Sequence, residues 1–155
     1  MMVLRRANRN DLKELQSLYI ESIEGLGKLN YTDEQLSAWK SSVNNRERWT
    51  EAINNQHFLI AQINKKIVGF GSLENGSYID FLYVSKNHSR MGVASRIFER
   101  LEKAALKLDQ TELESDVSLT AEPFFKSKGF QTVRENKNII QGIEITNLRM
   151  KKKLK

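Results

Sequence analysis

Residues 80–101, "DFLYVSKNHSRMGVASRIFERL", decide how this chain folds. The apolar run that ends at Val84 is typical of a strand, and apolar residues recur at helical spacing from Gly92 onward. A polar loop, residues 85–91, separates the two. A helix that begins at a glycine presents unpaired backbone N–H groups and a positive dipole end, and both attract anions. The stretch predicts a strand–loop–helix unit with an anion site at Gly92, although a plain turn would also explain the glycine.

The composition is that of an ordinary folded protein of one-domain size. The chain has 155 residues, of which 39% are hydrophobic and 28% charged, and this length suffices for a buried core. It lacks the roughly 18-residue apolar run of a membrane helix and the apolar segment of a signal peptide. With no cysteine and only two histidines, disulfides and the common metal sites are excluded. We expect a single cytoplasmic domain, residues 1–155, without a metal or a membrane partner.

The net charge of +6 does not by itself predict a nucleic-acid partner. Five of these charges lie in the basic C-terminal end, residues 149–155, so residues 1–148 carry a net charge of +1. A nucleic-acid footprint spreads along a face or groove. A basic cluster at one end is more typical of a solubilising or frayed terminus. A basic-tailed protein that docks on nucleic acid remains an alternative with little support from the charge distribution.

Capping and turn signals predict the other elements. Asn10 is the expected N-cap of the first helix, and Thr32 opens the second through a capping box. The pair Asn75-Gly76 predicts a hairpin. Thr120 is the expected cap of a short helix that Gly129 closes. The predicted order is β-α-α-α-β-β-β-α-β-α-β-β, with strands near residues 3–7, 57–63, 67–73, 77–84 and 113–117 and a final hairpin that ends at 150.

Two motifs resemble those of the GNAT superfamily of acetyl-CoA-dependent N-acetyltransferases. The first, a strand, then [Gln/Arg]-x-x-Gly-x-[Gly/Ala], then a helix, is matched by residues 80–101. The second, close to Asn-x-x-Ala-x-x-Phe-Tyr-x-x-x-Gly-Phe, is matched by "SLTAEPFFKSKGF" at residues 118–130. Both motifs in the right order are far more specific than either alone. The stretches "YTDEQLSAW" and "YIDFLYV" are also similar to the small YafP-type bacterial branch of that superfamily.

The resemblance implies an α/β fold with an open, mixed, mostly antiparallel sheet of six or seven strands, splayed into a V and flanked by four or five helices. It implies an N-acetyltransferase that moves the acetyl group from acetyl-CoA to a primary amine by direct attack in a ternary complex. The acceptor would be a small-molecule or peptide amine, and a homodimer is common in similar proteins. The implied cofactor-binding residues are Leu82, Tyr83, Val84, Ser89, Arg90, Met91, Gly92, Val93, Ala94, Ser95, Ser118, Phe124 and Phe125.

Three positions depart from the family pattern. Ser89 stands where Gln or Arg is usual, with Arg90 one place later, and Ser118 replaces the usual Asn. Phe125 stands where many members have the tyrosine that protonates the departing thiolate. A phenyl ring cannot donate a proton, so the thiolate, with a pKa of about 8.5, leaves unprotonated or takes a proton from water or another hydroxyl. A catalytically degenerate acyl-CoA-binding or protein-interaction module with the same fold is therefore a second interpretation.

The catalytic candidates are Glu74, Tyr78 and Asp80, which have the right chemistry close to the motif. Strand alternation predicts that these three share one face, with Phe81 and Tyr83 on the other. Our hypothesis is that Asp80 or Glu74 acts as the base through a water molecule. The alternative is that Asp80 forms a structural pair with a cation or a backbone group.

The acceptor-site candidates are Tyr31 and Trp39, in the early helical segment that walls the acceptor site in this superfamily. Tyr31 lies directly before a capping box and is placed to reach into a cleft. Core packing is the alternative for both, because large aromatic residues on a helical apolar face are usually buried.

Overall fold

The computed structural model describes all 155 residues around one seven-stranded sheet. The strands are β1 (Met2–Arg6), β2 (His57–Ile63), β3 (Lys66–Glu74), β4 (Tyr78–Val84), β5 (Glu112–Ser118), β6 (Gln131–Ile140) and β7 (Ile143–Lys153). The helices are α1 (Leu12–Leu26), α2 (Asp33–Lys40), α3 (Arg46–Asn55), α4 (Val93–Lys107) and α5 (Glu122–Ser127). The sheet order is β1-β2-β3-β4-β5-β7-β6, and only the central pair β4–β5 is parallel. The predicted fold class and element order are confirmed.

Helices cover both faces of the sheet, and each face has its own hydrophobic cluster. Helices α1, α2 and α3 pack on the face that carries Phe58 and Phe70. Helix α4 packs on the opposite face, where Leu59 lies next to Phe58 in sequence and points the other way. None of the helices is both long enough and apolar enough to cross a membrane.

Two glycines of β3 allow α4 to lie unusually close to the sheet. A Cβ atom at Gly69 would lie 2.8 Å from Cγ1 of Val93, and one at Gly71 would lie 2.7 Å from Cγ2 of Ile97. Side chains do not tolerate such distances, so these positions must be glycine for α4 to stay in place. The start of α4, and with it the preceding loop, is therefore positioned by β3.

The tight turns of all three hairpins have positive φ at both central residues, as type I′ turns require. Asn75 and Gly76 have φ values of 51° and 77°, which confirms the hairpin predicted from this pair. The turn between β6 and β7 has the same geometry at Gln141 and Gly142, with φ values of 50° and 77°. The final hairpin was predicted, but the position of its turn was not, because Gln141-Gly142 carries no Asn-Gly or Asp-Gly signal.

The first helix begins differently from the prediction. A 3-10 turn, Arg9–Asp11, precedes α1, and its cap is Asn8 rather than Asn10. The Asn8 side chain accepts a hydrogen bond from the Asn10 backbone N–H at 2.9 Å, and the Asp11 carboxylate accepts one from the Asn8 N–H at 2.8 Å. Asp11 is also held by Arg5 in a bidentate pair at 2.8 and 2.9 Å. This pair fixes the helical segment to β1, and the segment begins two residues earlier than the sequence signal indicated.

The cap predicted for the last helix is also wrong, whereas the capping box at Thr32 is confirmed. Helix α5 has Ala121 at its N-cap, without a side-chain hydrogen bond. Thr120 instead donates a hydrogen bond to Oδ1 of Asn30 at 2.9 Å. The Ser118 hydroxyl accepts one from the Ala121 N–H at 3.1 Å and satisfies that group in its place.

The basic C-terminal end is not a frayed tail. Residues up to Lys153 belong to β7, and residues 147–153 of this strand pair with the whole of β5. Arg149 lies 3.3 Å from a Glu114 oxygen and 3.0 Å from an Asp116 oxygen, and Lys151 lies 3.0 Å from Glu114. The cations of β7 therefore face the carboxylates of β5 instead of forming a free basic surface. Exposed pairs of this kind contribute little stability each, but they leave little unpaired charge for a nucleic acid.

The close contact between α4 and β3 predicts a measurable cost for Gly71→Ala. The added methyl group would meet both Ile97 and the carbonyl oxygen of Phe81, 3.1 Å away. We expect the free energy of unfolding to fall by about 1–3 kcal/mol, the usual cost of overpacking. Urea denaturation followed by circular dichroism measures this loss. An unchanged midpoint would contradict the tight packing described here.

Candidate active site

A cleft opens at the centre of the sheet because β4 and β5 separate. Their parallel pairing covers only Tyr78–Glu114 and Ile79–Ser115. The last tie is a hydrogen bond of 2.8 Å from the Ser115 hydroxyl to the Ile79 carbonyl oxygen. Beyond it β4 stays with β3 and β5 stays with β7, so the two strands diverge. The V-shaped opening that the family resemblance implies lies between residues 80–84 and 116–118.

A β-bulge in β4 begins where the strands separate. Ser72 of β3 pairs with Phe81 and Leu73 pairs with Ile79, so Asp80 has no partner on β3. A bulge places two successive residues on the same side of a strand. Asp80 and Phe81 accordingly both face α3, where the Arg48 guanidinium binds Asp80 and lies 4.9 Å from the centre of the Phe81 ring.

The bulge corrects half of the predicted face assignment. The shared face of Glu74 and Asp80 is as predicted, because the Gln56 amide contacts their carboxylates at 3.5 and 2.7 Å. The placement of Phe81 and Tyr83 on the opposite face is wrong. Both rings lie with Tyr19 of α1, at centroid distances of 6.5 and 4.8 Å. The alternation rule fails here because it assumes an unbroken strand.

Asp80 has hydrogen bonds at both of its carboxylate oxygens. Arg48 of α3 donates to Oδ1 at 2.9 Å and to Oδ2 at 3.1 Å, and Gln56 donates to Oδ2 at 2.7 Å. The Asp80 side chain is only 9% exposed. This bidentate ion pair is the structural alternative considered for Asp80. It ties the bulge to α3.

The other two catalytic candidates line neither of the two volumes that meet at the split. Glu74 is the last residue of β3, and its carboxylate contacts the Gln56 amide. The Tyr78 hydroxyl donates a hydrogen bond of 2.8 Å to Oδ2 of Asp116, and Arg149 donates to the same oxygen at 3.0 Å. Burial, together with the Asp116 carboxylate, raises the pKa of Tyr78 well above its usual range, so the hydroxyl stays protonated. Of Glu74, Tyr78 and Asp80, only Asp80 faces an open volume.

The loop before α4 presents a row of seven free backbone N–H groups. None of the amides of residues 89–95 donates a hydrogen bond within the protein. The last of them are the usual unpaired groups of a helix start, and the others extend the row into the loop. Gly92 has φ +80°, a left-handed conformation that favours glycine, and a Cβ there would meet no atom within 4 Å. The glycine therefore serves the turn and also leaves the row of amides open to a ligand.

These amides border a cleft of about 640 Å³, which we call the loop cleft. Its walls are the end of β4, the loop, the start of α5 and the connection between α1 and α2. Twelve of the thirteen residues predicted to bind the cofactor line it: Leu82, Tyr83, Val84, Ser89, Arg90, Gly92, Val93, Ala94, Ser95, Ser118, Phe124 and Phe125. Met91 does not, and its side chain is 60% exposed.

A second cavity of about 600 Å³, the sheet cavity, lies on the other side of the split. Six residues line both volumes, so they meet at the point where β4 and β5 part: Trp39, Leu82, Tyr83, Ser118, Ala121 and Phe125. Tyr31 and Trp39 line the sheet cavity, as proposed for acceptor contacts. The Tyr31 hydroxyl is fully engaged, because it donates to the Thr146 carbonyl oxygen at 2.7 Å and accepts from the Leu119 N–H at 2.9 Å.

Sequence reasoning missed the far wall of the sheet cavity. It comprises residues of β5, β6 and β7: Asp116, Lys137, Asn138, Ile139, Ile140, Ile145 and Asn147. One available signal was the alternation along β5, because Asp116 is two residues from Ser118 and so shares its face. No local signal placed β6 and β7 beside the cleft.

Phe125 occupies the meeting point of the two volumes without a polar atom. Its side chain is buried, and its ring packs edge-on against Phe124 at 5.8 Å and Phe130 at 5.0 Å. The hydroxyl-bearing side chains that line both volumes are Tyr83 and Ser118. Burial raises the pKa of Tyr83 well above its ordinary value, so this hydroxyl also stays protonated.

The chain is similar to known acetyltransferases over nearly its whole length. A model of the acetyltransferase (GNAT) domain matches residues 28–154. The uncharacterized N-acetyltransferase YafP of Escherichia coli (strain K12) is 34% identical over 151 residues, which cover 97% of this chain and 95% of the relative.

Solved structures share the fold. A GCN5-related N-acetyltransferase from Rhodopseudomonas palustris superposes with a TM-score of 0.94 at 30% identity, covering 98% of this chain and 95% of that one. The PaiA N-acetyltransferase from Thermoplasma acidophilum, in complex with coenzyme A, superposes with a TM-score of 0.81 at 19% identity, covering 99% of both chains. At that lower identity the likeness concerns the fold alone.

The burial of the tyrosines around the two volumes predicts an unusual alkaline titration. Burial raises the pKa of all four tyrosines of the chain: Tyr19, Tyr31, Tyr78 and Tyr83. Absorbance at 295 nm should therefore show little tyrosinate at pH 10 in the native protein, and about half ionisation in concentrated urea. A group with a raised folded-state pKa stabilises the fold fully below its unfolded pKa, and this contribution is lost as pH rises through the folded pKa. Stability should accordingly fall above about pH 10. Native tyrosines that titrate at pH 10 would contradict the described packing.

Proposed function

Because this chain belongs to the GNAT acetyltransferase family, we propose that it transfers the acetyl group of acetyl-CoA to a primary amine within a ternary complex. The observation that carries this proposal is the meeting of two volumes at the split between β4 and β5. One volume is bordered by free amides suited to phosphates, and the other is a separate approach to the same point. Such an arrangement lets a donor and an acceptor enter from opposite sides and react where they meet.

The loop cleft is the proposed site for acetyl-CoA. The seven amides of residues 89–95 would hold the pyrophosphate, aided by the positive end of the α4 dipole and by Arg90. The edge of β4 that faces β5 is unpaired beyond Ile79, so the pantetheine arm has backbone groups to join, much as a peptide adds a strand to a sheet. The relative from Thermoplasma acidophilum, which contains coenzyme A, supports the same assignment.

The transfer needs few groups from the protein. The amine nitrogen attacks the thioester carbonyl, the C–N bond forms, the C–S bond breaks, and the nitrogen loses a proton to solvent. Backbone N–H groups on the open edge of β4, residues 82–84, are the proposed donors to the developing oxyanion. A coenzyme A thiolate has a pKa of about 8.5 and leaves without full protonation. Phe125 is thus compatible with turnover, with Ser118 or water as the nearest source of a proton.

Asp80 is assigned to holding the site rather than to proton transfer. Both of its oxygens are occupied by Arg48 and Gln56. Glu74 and Tyr78 leave the proposal because neither lines the loop cleft or the sheet cavity. A cytoplasmic location is part of the proposal, because acetyl-CoA is an intracellular metabolite.

Thermal shift with acetyl-CoA tests the cofactor site, and the chain offers a matched pair of variants. Gly92 and Gly142 have nearly equal φ values, +80° and +77°. A Cβ atom at either position would have no neighbouring atom within 4 Å. Glutamate at either position therefore brings the same backbone strain and the same charge. At a ligand concentration 100 times Kd, the wild type and Gly142→Glu should gain about 2.7 kcal/mol, a rise in Tm of roughly 5–10 °C.

Gly92→Glu should lose that rise, because its carboxylate would stand among the amides meant for phosphate. Release of free coenzyme A thiol in the presence of amines then separates the two interpretations of Phe125. Turnover with any amine supports the enzyme. Binding without turnover would establish the degenerate acyl-CoA-binding module. A wild type that acetyl-CoA does not stabilise would overturn both.

A further inference from the structure

The carboxylates of the sheet cavity are all engaged in ion pairs. Only two acidic residues line it, Asp80 and Asp116. Asp80 is held by the Arg48 fork and by Gln56. Asp116 accepts hydrogen bonds from Arg149 at 3.0 Å and Tyr78 at 2.8 Å, and from Asn136 at 2.9 Å. The cavity therefore offers an incoming ammonium group no free carboxylate, and an incoming amine no free base.

The one other charged residue in the lining is a cation. Lys137 of β6 is exposed and forms no ion pair. A second positive charge brought into this volume would be repelled by Lys137, and the two carboxylates that would offset the repulsion are already bound to arginine. Polyamines, aminoglycosides and lysine side chains are thus poorly matched to the cavity.

Twelve of the nineteen residues that line the cavity are hydrophobic, and they include several aromatic rings. The Trp39 ring lies between two tyrosine rings. Its centroid is 5.4 Å from that of Tyr31 and 6.4 Å from that of Tyr83. Three isoleucines close the far side: Ile139, Ile140 and Ile145. A flat apolar ring gains both area burial and favourable aromatic contacts in such a site, the contacts contributing about 0.5–1.5 kcal/mol.

The protonation state of the acceptor also favours an amine attached to an aromatic ring. Attack on a thioester requires a neutral amine with a free lone pair. An alkylamine such as lysine, with a pKa of about 10.4, is neutral in only about one molecule in a thousand at pH 7.4. An aromatic amine shares its lone pair with the ring and is neutral at that pH without help. A site without a free base therefore favours the weakly basic amine.

We propose, on the basis of the acetyltransferase function above, that the acceptor is a weakly basic aromatic primary amine. Its ring lies against Trp39 and Tyr83, and its nitrogen points toward the split between β4 and β5. The nitrogen forms the new bond to the acetyl carbon as the C–S bond breaks, and its proton leaves to water. No protein group takes that proton in this scheme.

Acceptor competition at fixed acetyl-CoA tests the proposal. The aromatic probes are aniline and 4-aminobenzoate. The aliphatic probes are spermidine and a lysine amide that is acetylated at its α-nitrogen and has a free side-chain amine. The assay is thiol release at pH 7.4. We expect kcat/KM for the aromatic amines to exceed that for the aliphatic amines at least about 10-fold. It should also vary less than about threefold between pH 6.5 and 8.5, because the aromatic amine stays neutral throughout.

A pair of variants on α3 tests the physical reason for the preference. Arg48→Met frees the Asp80 carboxylate, so the aromatic-to-aliphatic ratio of kcat/KM should fall at least about threefold. Arg46→Met removes an exposed cation that forms no ion pair, and the ratio should not change. An unchanged ratio in folded Arg48→Met would overturn the role given to the ion pair.

The wild-type measurements keep the inference separate from the proposed function. A preference for spermidine or the lysine amide would overturn the aromatic acceptor and leave the acetyltransferase intact. Spermidine should neither be acetylated nor inhibit aniline acetylation, because Lys137 repels it. Competitive inhibition by spermidine would contradict the charge argument for the aromatic acceptor. No thiol release with any of the four amines would contradict both the inference and the enzyme.

Discussion

The separation of β4 from β5 after Ile79 is the constraint on which the rest of the structure depends. Two neighbouring strands normally continue to pair, because unpaired backbone groups in an interior are costly. Here the bulge at Asp80 turns β4 away, and the Arg48 ion pair secures it against α3. The groups left unpaired line a cleft, where solvent or a ligand satisfies them. The fold thus creates a binding site by leaving the centre of its own sheet incomplete.

Both sides of the opening are held by contacts that link distant parts of the chain. On one side, Gly69 and Gly71 have no side chains, so α4 lies directly against β3. This contact sets the position of the loop amides relative to the sheet. On the other side, the Tyr31 hydroxyl joins β7 to the segment after β5 through two hydrogen bonds. The two sides of the split are therefore each anchored to other elements of the fold. A cavity already formed in this way can orient a ligand without ordering a loop first.

Local chemistry explains what could be predicted from the sequence. The turns at Gly92 and Asn75-Gly76 need positive φ angles, which few residue types adopt. The residue types at these positions therefore identify the turns from the sequence. The bulge at Asp80 was not predictable, because register depends on β3 as much as on β4. The same limit applies to the far wall of the sheet cavity, since β6 and β7 reach it only through pairing with β5. The basic C-terminal end was misjudged for the same reason. Its composition is typical of a frayed tail, but pairing with β5 makes it part of a strand.

The central claim is that the free amides of residues 89–95 bind the phosphates of acetyl-CoA. Residue-resolved hydrogen exchange by NMR, with and without saturating coenzyme A, tests it most directly. The account predicts slower exchange for these seven amides, which have no partner in the protein alone, and for those on the open edge of β4. Slower exchange confined to other parts of the chain, or unchanged exchange at residues 89–95 while coenzyme A is bound, would contradict it.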